Sequence, residues 1–439
     1  MAAAQCVQYQ EGAVVSRELA RQQGGTVTLF AFDAGQGLSE HTAPFDALVH
    51  VLEGEAEIQI DRRPHPLRGG DLLLMPAHHP HAVQARTPFK MLLVLLRTAL
   101  MLMGLLWGAG PATAGETPAA TSRPIPVILD TDIGDDIDDT WALGLLLRCP
   151  ELDLKLVVGD YGRAPYRARL LAKFLQTAGR TDVAVGVGQD RDPRGDGAQA
   201  AWVKDYDLKS YPGTVHADGI GAMIDLILGS AEPVTLIAIG PVPNLAAALA
   251  REPRIAQRAR FVGMHGSVRS GYNGQPPPDP EWNVKADAAS CRAVFQAAWP
   301  MTITPLDTCG RVVLDGERYQ RVYRSPDPIA AAIRENYGHW NVHQKGKPET
   351  VAQRSSTLFD TVAVYLACRQ DFCRMETVSL RVTDDGFTRV DPAGKAVSAA
   401  MEWTHLDGFR DWLVKRLAGG VPAAGIRPAS TAPVSAGGS

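Results

Sequence analysis

No basic stripe runs through this chain. Its 44 Lys and Arg are outnumbered by 48 Asp and Glu, a formal net charge of −4, which excludes nucleic acid as the main partner. Cysteine is scarce. Six in 439 residues are too few for a disulfide scaffold, which needs many bridges in a short chain. Cys368 and Cys373 are close enough in sequence to pair in an oxidising compartment; buried free thiols are the alternative. Long apolar runs are missing too. The most apolar stretch, residues 91–107, is broken by Arg97, and residues 98–107 alone fall short of a bilayer, so no stable membrane span is expected. The remainder, 45% hydrophobic and 21% charged, is an ordinary globular balance with length for two or three domains.

Composition divides the chain. Residues 1–96 carry short alternating runs such as ALVHVLEGEAEIQI (47–60) between turn signals, an all-β pattern. Residues 125–418 alternate strand-like runs with helical ones. LKLVVGD (154–160) precedes YRARLLAKFLQTAG (166–179), and VTLIAIG (234–240) precedes PNLAAALAREP. That alternation predicts an α/β fold, a mostly parallel open sheet flanked by helices. Residues 419–439 are Gly, Pro, Ala and Ser without periodicity, a disordered tail. Residues 97–124 hold a short apolar segment, the A-x-A pattern Ala112-Thr113-Ala114 and a Pro/Ala/Thr linker. This looks like a secretory signal inside the chain. It makes the following domain periplasmic or secreted if it operates, and cytoplasmic otherwise.

What the chain has in excess is acid in one place. DTDIGDDIDDTWAL (130–143) puts six carboxylates into ten positions directly after the apolar run Ile125-Pro126-Val127-Ile128-Leu129. A strand feeding such a loop and then a helix puts the loop at the carboxyl end of a parallel sheet, where open α/β sheets bind ligands. Crowded carboxylates repel one another unless a cation holds them, and Ca²⁺ or Mg²⁺ suits oxygen donors. Asp135, Asp136 and Asp138 could instead oppose a helix macrodipole, which leaves Asp130 and Asp132 unexplained. An EF-hand is excluded, since Trp141 stands at the twelfth position. The D-x-D also resembles haloacid-dehalogenase-like phosphatases, which want Thr or Val where this chain has Gly134.

The loop most resembles the D-x-D-x-G-x-D-D fingerprint of the nucleoside hydrolases, with two extra residues before the final pair, taken as Asp138-Asp139. The likeness runs over residues 124–415. Ile239-Gly240-Pro241-Val242-Pro243-Asn244-Leu245-Ala246 resembles a strand-to-helix turn of that family. Met264, Asn273 and Glu281-Trp282-Asn283 resemble its ribose-gripping segment. Leu358-Phe359-Asp360 resembles its late His-Asp, and Val215-His216-Ala217-Asp218-Gly219 its V-H-G segment near the site. The resemblance implies a Ca²⁺ site made by Asp132, Asp139, Asp360 and the Ile239 carbonyl. Asp132 would also be the catalytic base that takes a proton from the metal-bound water. Asp138, Asn273, Glu281, Asn283 and Met264 would bind substrate, a small-molecule nucleoside, in N-glycosidic hydrolysis.

Where some family members carry a His to protonate the leaving base, this chain has Phe359. Phe359 can stack on the base, as could Tyr337 and Trp340, and His339 or His343 could replace the acid. Asn244 reads as a helix cap and His216 as a local hydrogen-bond partner. Asp160 and Arg163 share a sheet edge without a role. Two other readings stand beside the hydrolase: a Mg²⁺ phosphohydrolase with Asp130 as nucleophile, and a non-catalytic nucleoside- or sugar-binding protein.

Residues 20–96 resemble the cupin family. Gly35, His41, Ala43, Ala47 and Gly54 match the spacing of its first motif, and Gly70, Pro76, His78 and His81 the second. Ala43 and Ala47 stand at two of the four ligand positions, so a metal is not expected there; Asp46 and His50 are the possible substitutes. A homo-oligomer is expected.

Overall fold

The computed structural model describes residues 3–22, 25–41, 46–61, 63–75, 79–96, 123–191, 195–272 and 274–419. They fall into two compact units, one on either side of the 97–122 stretch. The signal-like segment and the tail from residue 420 lie outside the described residues.

The first unit is all antiparallel β. One sheet has the order Val14–Gln22, Gly25–Phe32, Phe89–Leu96, Asp46–Glu53, Leu72–Met75; the other runs Gly37–His41, His81–Ala85, Glu55–Ile60, Arg63–Arg68. Alternation decides which residues enter the core. Ala47, Val49 and Val51 are buried on one face of their strand, and Phe32 stacks on Phe89 at 4.6 Å between ring centroids. His50 is out of step with Ala47 and lies on the other face, so it cannot take over the ligand position that Ala47 leaves empty. His81 is buried, with Nδ1 2.8 Å from the His79 carbonyl. Ala43, Pro76 and His78 lie outside the described residues, as do the side chains of His41 and Asp46.

The second unit is built on a ten-stranded sheet. Its order is Val215–His216, Ala184–Gly186, Leu152–Gly159, Ile125–Thr131, Val234–Ala238, Ala259–Met264, Met301–Thr304, Lys395–Trp403, Cys373–Val382, Thr388–Val390. Pairing is parallel as far as Lys395–Trp403 and antiparallel beyond it. The sheet is therefore α/β and mostly parallel, as expected. From Ile125–Thr131 the chain winds to one side through Leu152–Gly159 and Ala184–Gly186. It then returns to the other side with Val234–Ala238, so the acidic loop leaves the sheet at the topological switch point.

Every residue of the Asp138–Leu146 helix is buried, and so is nearly every one of Thr361–Cys368. Both lack a polar stripe because they are enclosed on all sides. Their packing against each other decides what meets at their N-terminal ends.

Candidate active site

One cavity at the carboxyl ends of the central strands is lined by Asp132, Asp135, Asp136, Asp138, Asp139, Ile239, Met264, Tyr272, Glu281, Trp282, Asn283, Phe359 and Asp360. Except for Asn273, which lies outside the described residues, every residue that the nucleoside hydrolase resemblance implied for metal, catalytic base or sugar binding is in this set.

Asp138, Asp139 and Asp360 form the tightest group. Their carboxylate oxygens lie within 4.8 Å of one another, and all three residues are buried. Asp132 lines the same cavity but stands outside this triad, whereas Asp138, expected only as a substrate ligand, belongs to it. Burial pushes the carboxyl groups of Asp132, Asp138, Asp139 and Asp360 well above the usual range, and the neighbouring carboxylates push them further. Such a set of crowded, hard oxygen donors fits a divalent ion. Thr131 Oγ1 donates to Asp139 Oδ1 and fixes its orientation.

Asp130 does not line the cavity. Its Oδ1 accepts from Asn244 Nδ2 at 2.9 Å, and burial raises its carboxyl to about 7. It supports the loop from behind, a poor position for a phosphohydrolase nucleophile.

The turn at residues 239–244 differs from its sequence reading. The residue preceding the Pro243–Arg251 helix is Val242, at φ 63°, and Asn244 is not its cap. A β-branched residue is strained at positive φ. Asp160, fully buried just after the Leu152–Gly159 strand, holds this turn by accepting from the N–H of Val242 at 2.7 Å and of Asn244 at 3.4 Å. Asn244 instead bridges strands, donating to Asp130 and to the Gly159 carbonyl at 3.0 Å. Gly240 must lack a side chain, because a Cβ there would lie 3.0 Å from Asp132 Oδ1 and 2.9 Å from Asp160 Oδ2. The Gly240 carbonyl faces His265 Nε2 at 3.0 Å; burial lowers that imidazole to about 4 and keeps it neutral.

Asn283 Nδ2 donates to the Met264 carbonyl at 3.0 Å and to the Ile239 carbonyl at 3.3 Å, so it braces the cavity floor. Glu281 lines the cavity, yet its carboxylate accepts three backbone N–H groups: Asn283 at 2.7 Å, Gly266 at 2.9 Å and Val284 at 3.3 Å. It caps the Trp282–Ala286 helix as well as facing the site. Burial raises its carboxyl to about 7.

Sequence reasoning passed over Tyr272 and a cation. Tyr272 meets Phe359 edge-on at 6.0 Å and accepts the Trp282 N–H at 2.7 Å. The signal was two aromatics bracketing a Gly/Pro-rich loop. Arg167 is buried behind the acidic loop, donating to the Asp132 carbonyl, the Ile133 carbonyl and Asp135 Oδ2. Its place in an ordinary amphipathic helix concealed it. Arg163 is half-exposed against Asp196. Tyr337 and Trp340 pack on each other away from the cavity, which removes them as base-stacking groups. His216 lines a separate hollow with Asp218 and Asp225 rather than the site. His343 lines an adjoining hollow that shares Asp135, Asp136 and Trp282 with the cavity.

The inosine-uridine preferring nucleoside hydrolase model matches residues 127–408, the span that holds every element of this cavity. The chain belongs to that family. A model of the AraC-like ligand binding domain matches residues 23–136. Over 225 residues the chain is 30% identical to the pyrimidine-specific ribonucleoside hydrolase RihA of Enterobacter sp. (strain 638), covering 48% of this chain and 69% of that protein. Among solved structures, a plant nucleoside hydrolase superposes with a TM-score of 0.57 at 20% identity, over 68% of this chain and all of that one. An inosine-uridine preferring nucleoside hydrolase from Bacillus anthracis gives 0.54 at 21% identity, over 67% and 99%. At such identities the two structures establish a shared fold.

Proposed function

We propose that residues 125–418 hydrolyse the N-glycosidic bond of ribonucleosides, releasing free base and ribose. The observation that carries this reading is the convergence of buried carboxylates and aromatic side chains on one cavity. The carboxylates suit a cation and a polyhydroxylated sugar, and Tyr272, Trp282 and Phe359 suit a flat base.

Ca²⁺ would be held by Asp132, Asp139, Asp360 and the Ile239 carbonyl, with Asp138 in the same cluster; bound there, it would lower the pKa of a water and accept sugar hydroxyls. Asp132 takes the proton from the attacking water. Asp138 and Asn283 hydrogen-bond sugar hydroxyls, Met264 lies beneath the ring, and Glu281 with Asn273 takes the 5′ end. As the bond to the base breaks, positive charge grows on the sugar, and the surrounding carboxylates stabilise it. Phe359 excludes water from the base but donates no proton.

The test is a nucleoside panel of uridine, cytidine and inosine with added Ca²⁺, read as reducing sugar. Uridine and cytidine belong in it because the relative from Enterobacter is named pyrimidine-specific. Ribose release supports the proposal. Phosphate release from phosphomonoesters without ribose release replaces it with the phosphohydrolase, and tight ribose binding without turnover replaces it with a binding protein.

A further inference from the structure

The two helices that bring Asp138, Asp139 and Asp360 together also bring two thiols together at their other ends. Cys149 lies in the turn after Asp138–Leu146, and Cys368 is the last residue of Thr361–Cys368. Their Sγ atoms, 219 positions apart in sequence, are within 4.8 Å of each other. Cys149 is fully buried and Cys368 partly so. The thiol against Cys368 is thus not its sequence neighbour Cys373, which is buried at the start of its own strand.

A carboxylate oxygen of Glu151 completes a Cys-Cys-Glu group. Both oxygens of that carboxylate are already engaged, however, by Arg416 at 3.1 and 2.6 Å. A metal ion would have to break this ion pair and would still lack a fourth ligand. Covalent pairing of the sulfurs needs neither change.

We propose that Cys149 and Cys368 are a disulfide site, closed when a small disulfide such as oxidised glutathione reaches the chain. The Cys368 thiolate, the more accessible, attacks one sulfur of the oxidant and releases one glutathione thiolate. The Cys149 thiolate then attacks the Cys368 sulfur of the mixed disulfide and releases the second. The two protein thiols give up two electrons and two protons, and glutathione disulfide takes both to become two molecules of glutathione. The contact with Cys368 and burial push the Cys149 thiol well above its usual range, so closure speeds up with rising pH. The bond would clamp the helix carrying Asp138 and Asp139 to the one preceded by Asp360.

The experiment treats the full chain with oxidised glutathione, unfolds it, alkylates the remaining thiols and maps peptides without reduction. Six alkylatable thiols should fall to four, with a cross-linked peptide pair containing residues 149 and 368 and a Tm higher than that of the reduced protein. Cys373→Ala should still form the bond. Cys368→Ala, at the less buried partner, should abolish both the cross-link and the Tm rise. Six thiols still alkylated, a glutathione adduct left on Cys368, a 368–373 cross-link, or zinc bound at the pair and blocking oxidation would each overturn the proposal. None of these readouts depends on hydrolase activity.

Discussion

The backbone N–H of Asp360 donates to Oδ2 of Asp138 at 3.3 Å, across 222 positions of sequence. This bond sets the start of one buried helix against the first turn of another. It places three carboxylates in a single group that neither segment contains alone. The arrangement is costly while the group holds no cation, because buried like charges repel and solvation is lost.

Metal removal should therefore show in stability as well as in activity. Exhaustive chelation is expected to abolish turnover and lower Tm, and Ca²⁺ to restore both. At a hundredfold excess of ligand over Kd, binding to the folded state alone contributes about 2.7 kcal/mol. Differential scanning calorimetry with and without chelator checks this; an identical Tm in both would remove the metal site.

Asp132→Asn and Asp130→Asn should separate in kcat. Asp132 faces the cavity, and its loss as base is expected to slow hydrolysis by roughly 10²–10⁴-fold with the fold intact by circular dichroism. Asp130 bonds to Asn244 outside the cavity, so its variant should keep most of kcat and lose some stability. The opposite ranking would point to Asp130 as a nucleophile.

Leaving-group dependence should be steep. With Phe359 where a proton donor could stand, a nitrophenyl riboside is expected to react far faster than inosine. Equal rates would reveal an acid. His343, beside Asp135, Asp136 and Trp282, is then the side chain to change, and His343→Ala should lower inosine turnover alone.

The metal-free protein should lose stability as pH rises. Burial raises the Glu281 carboxyl from its ordinary 4.5 to about 7 in the folded protein. Between those values the folded state binds more protons than the unfolded one, so the free energy of unfolding falls with increasing pH. Urea titrations of chelated protein at pH 5 and pH 8 should give the higher midpoint at pH 5. A higher midpoint at pH 8 would contradict this expectation.

Several features were legible in the sequence because they are written into contiguous residues. Strand, acidic loop and helix at 125–146 follow from an apolar run, a Gly at positive φ and a second apolar run. Alternation of strand and helix implied a parallel sheet, and the spacing around Gly240, Met264, Glu281 and Asp360 resembled one family throughout. Other features depend on strand order and helix packing, which bring distant residues together without leaving a local pattern. Asp160 supplies the helix-start hydrogen bonds expected of Asn244 because the strand it follows lies on the far side of Ile125–Thr131 from Val234–Ala238. Arg167 reaches the acidic loop only because its helix packs behind it. Asp138 joins Asp139 and Asp360, and Cys149 meets Cys368, because two buried helices lie side by side. A sequence records which side chains are available, whereas the three-dimensional packing of elements far apart in the chain determines which of them share a dielectric, a proton or a bond.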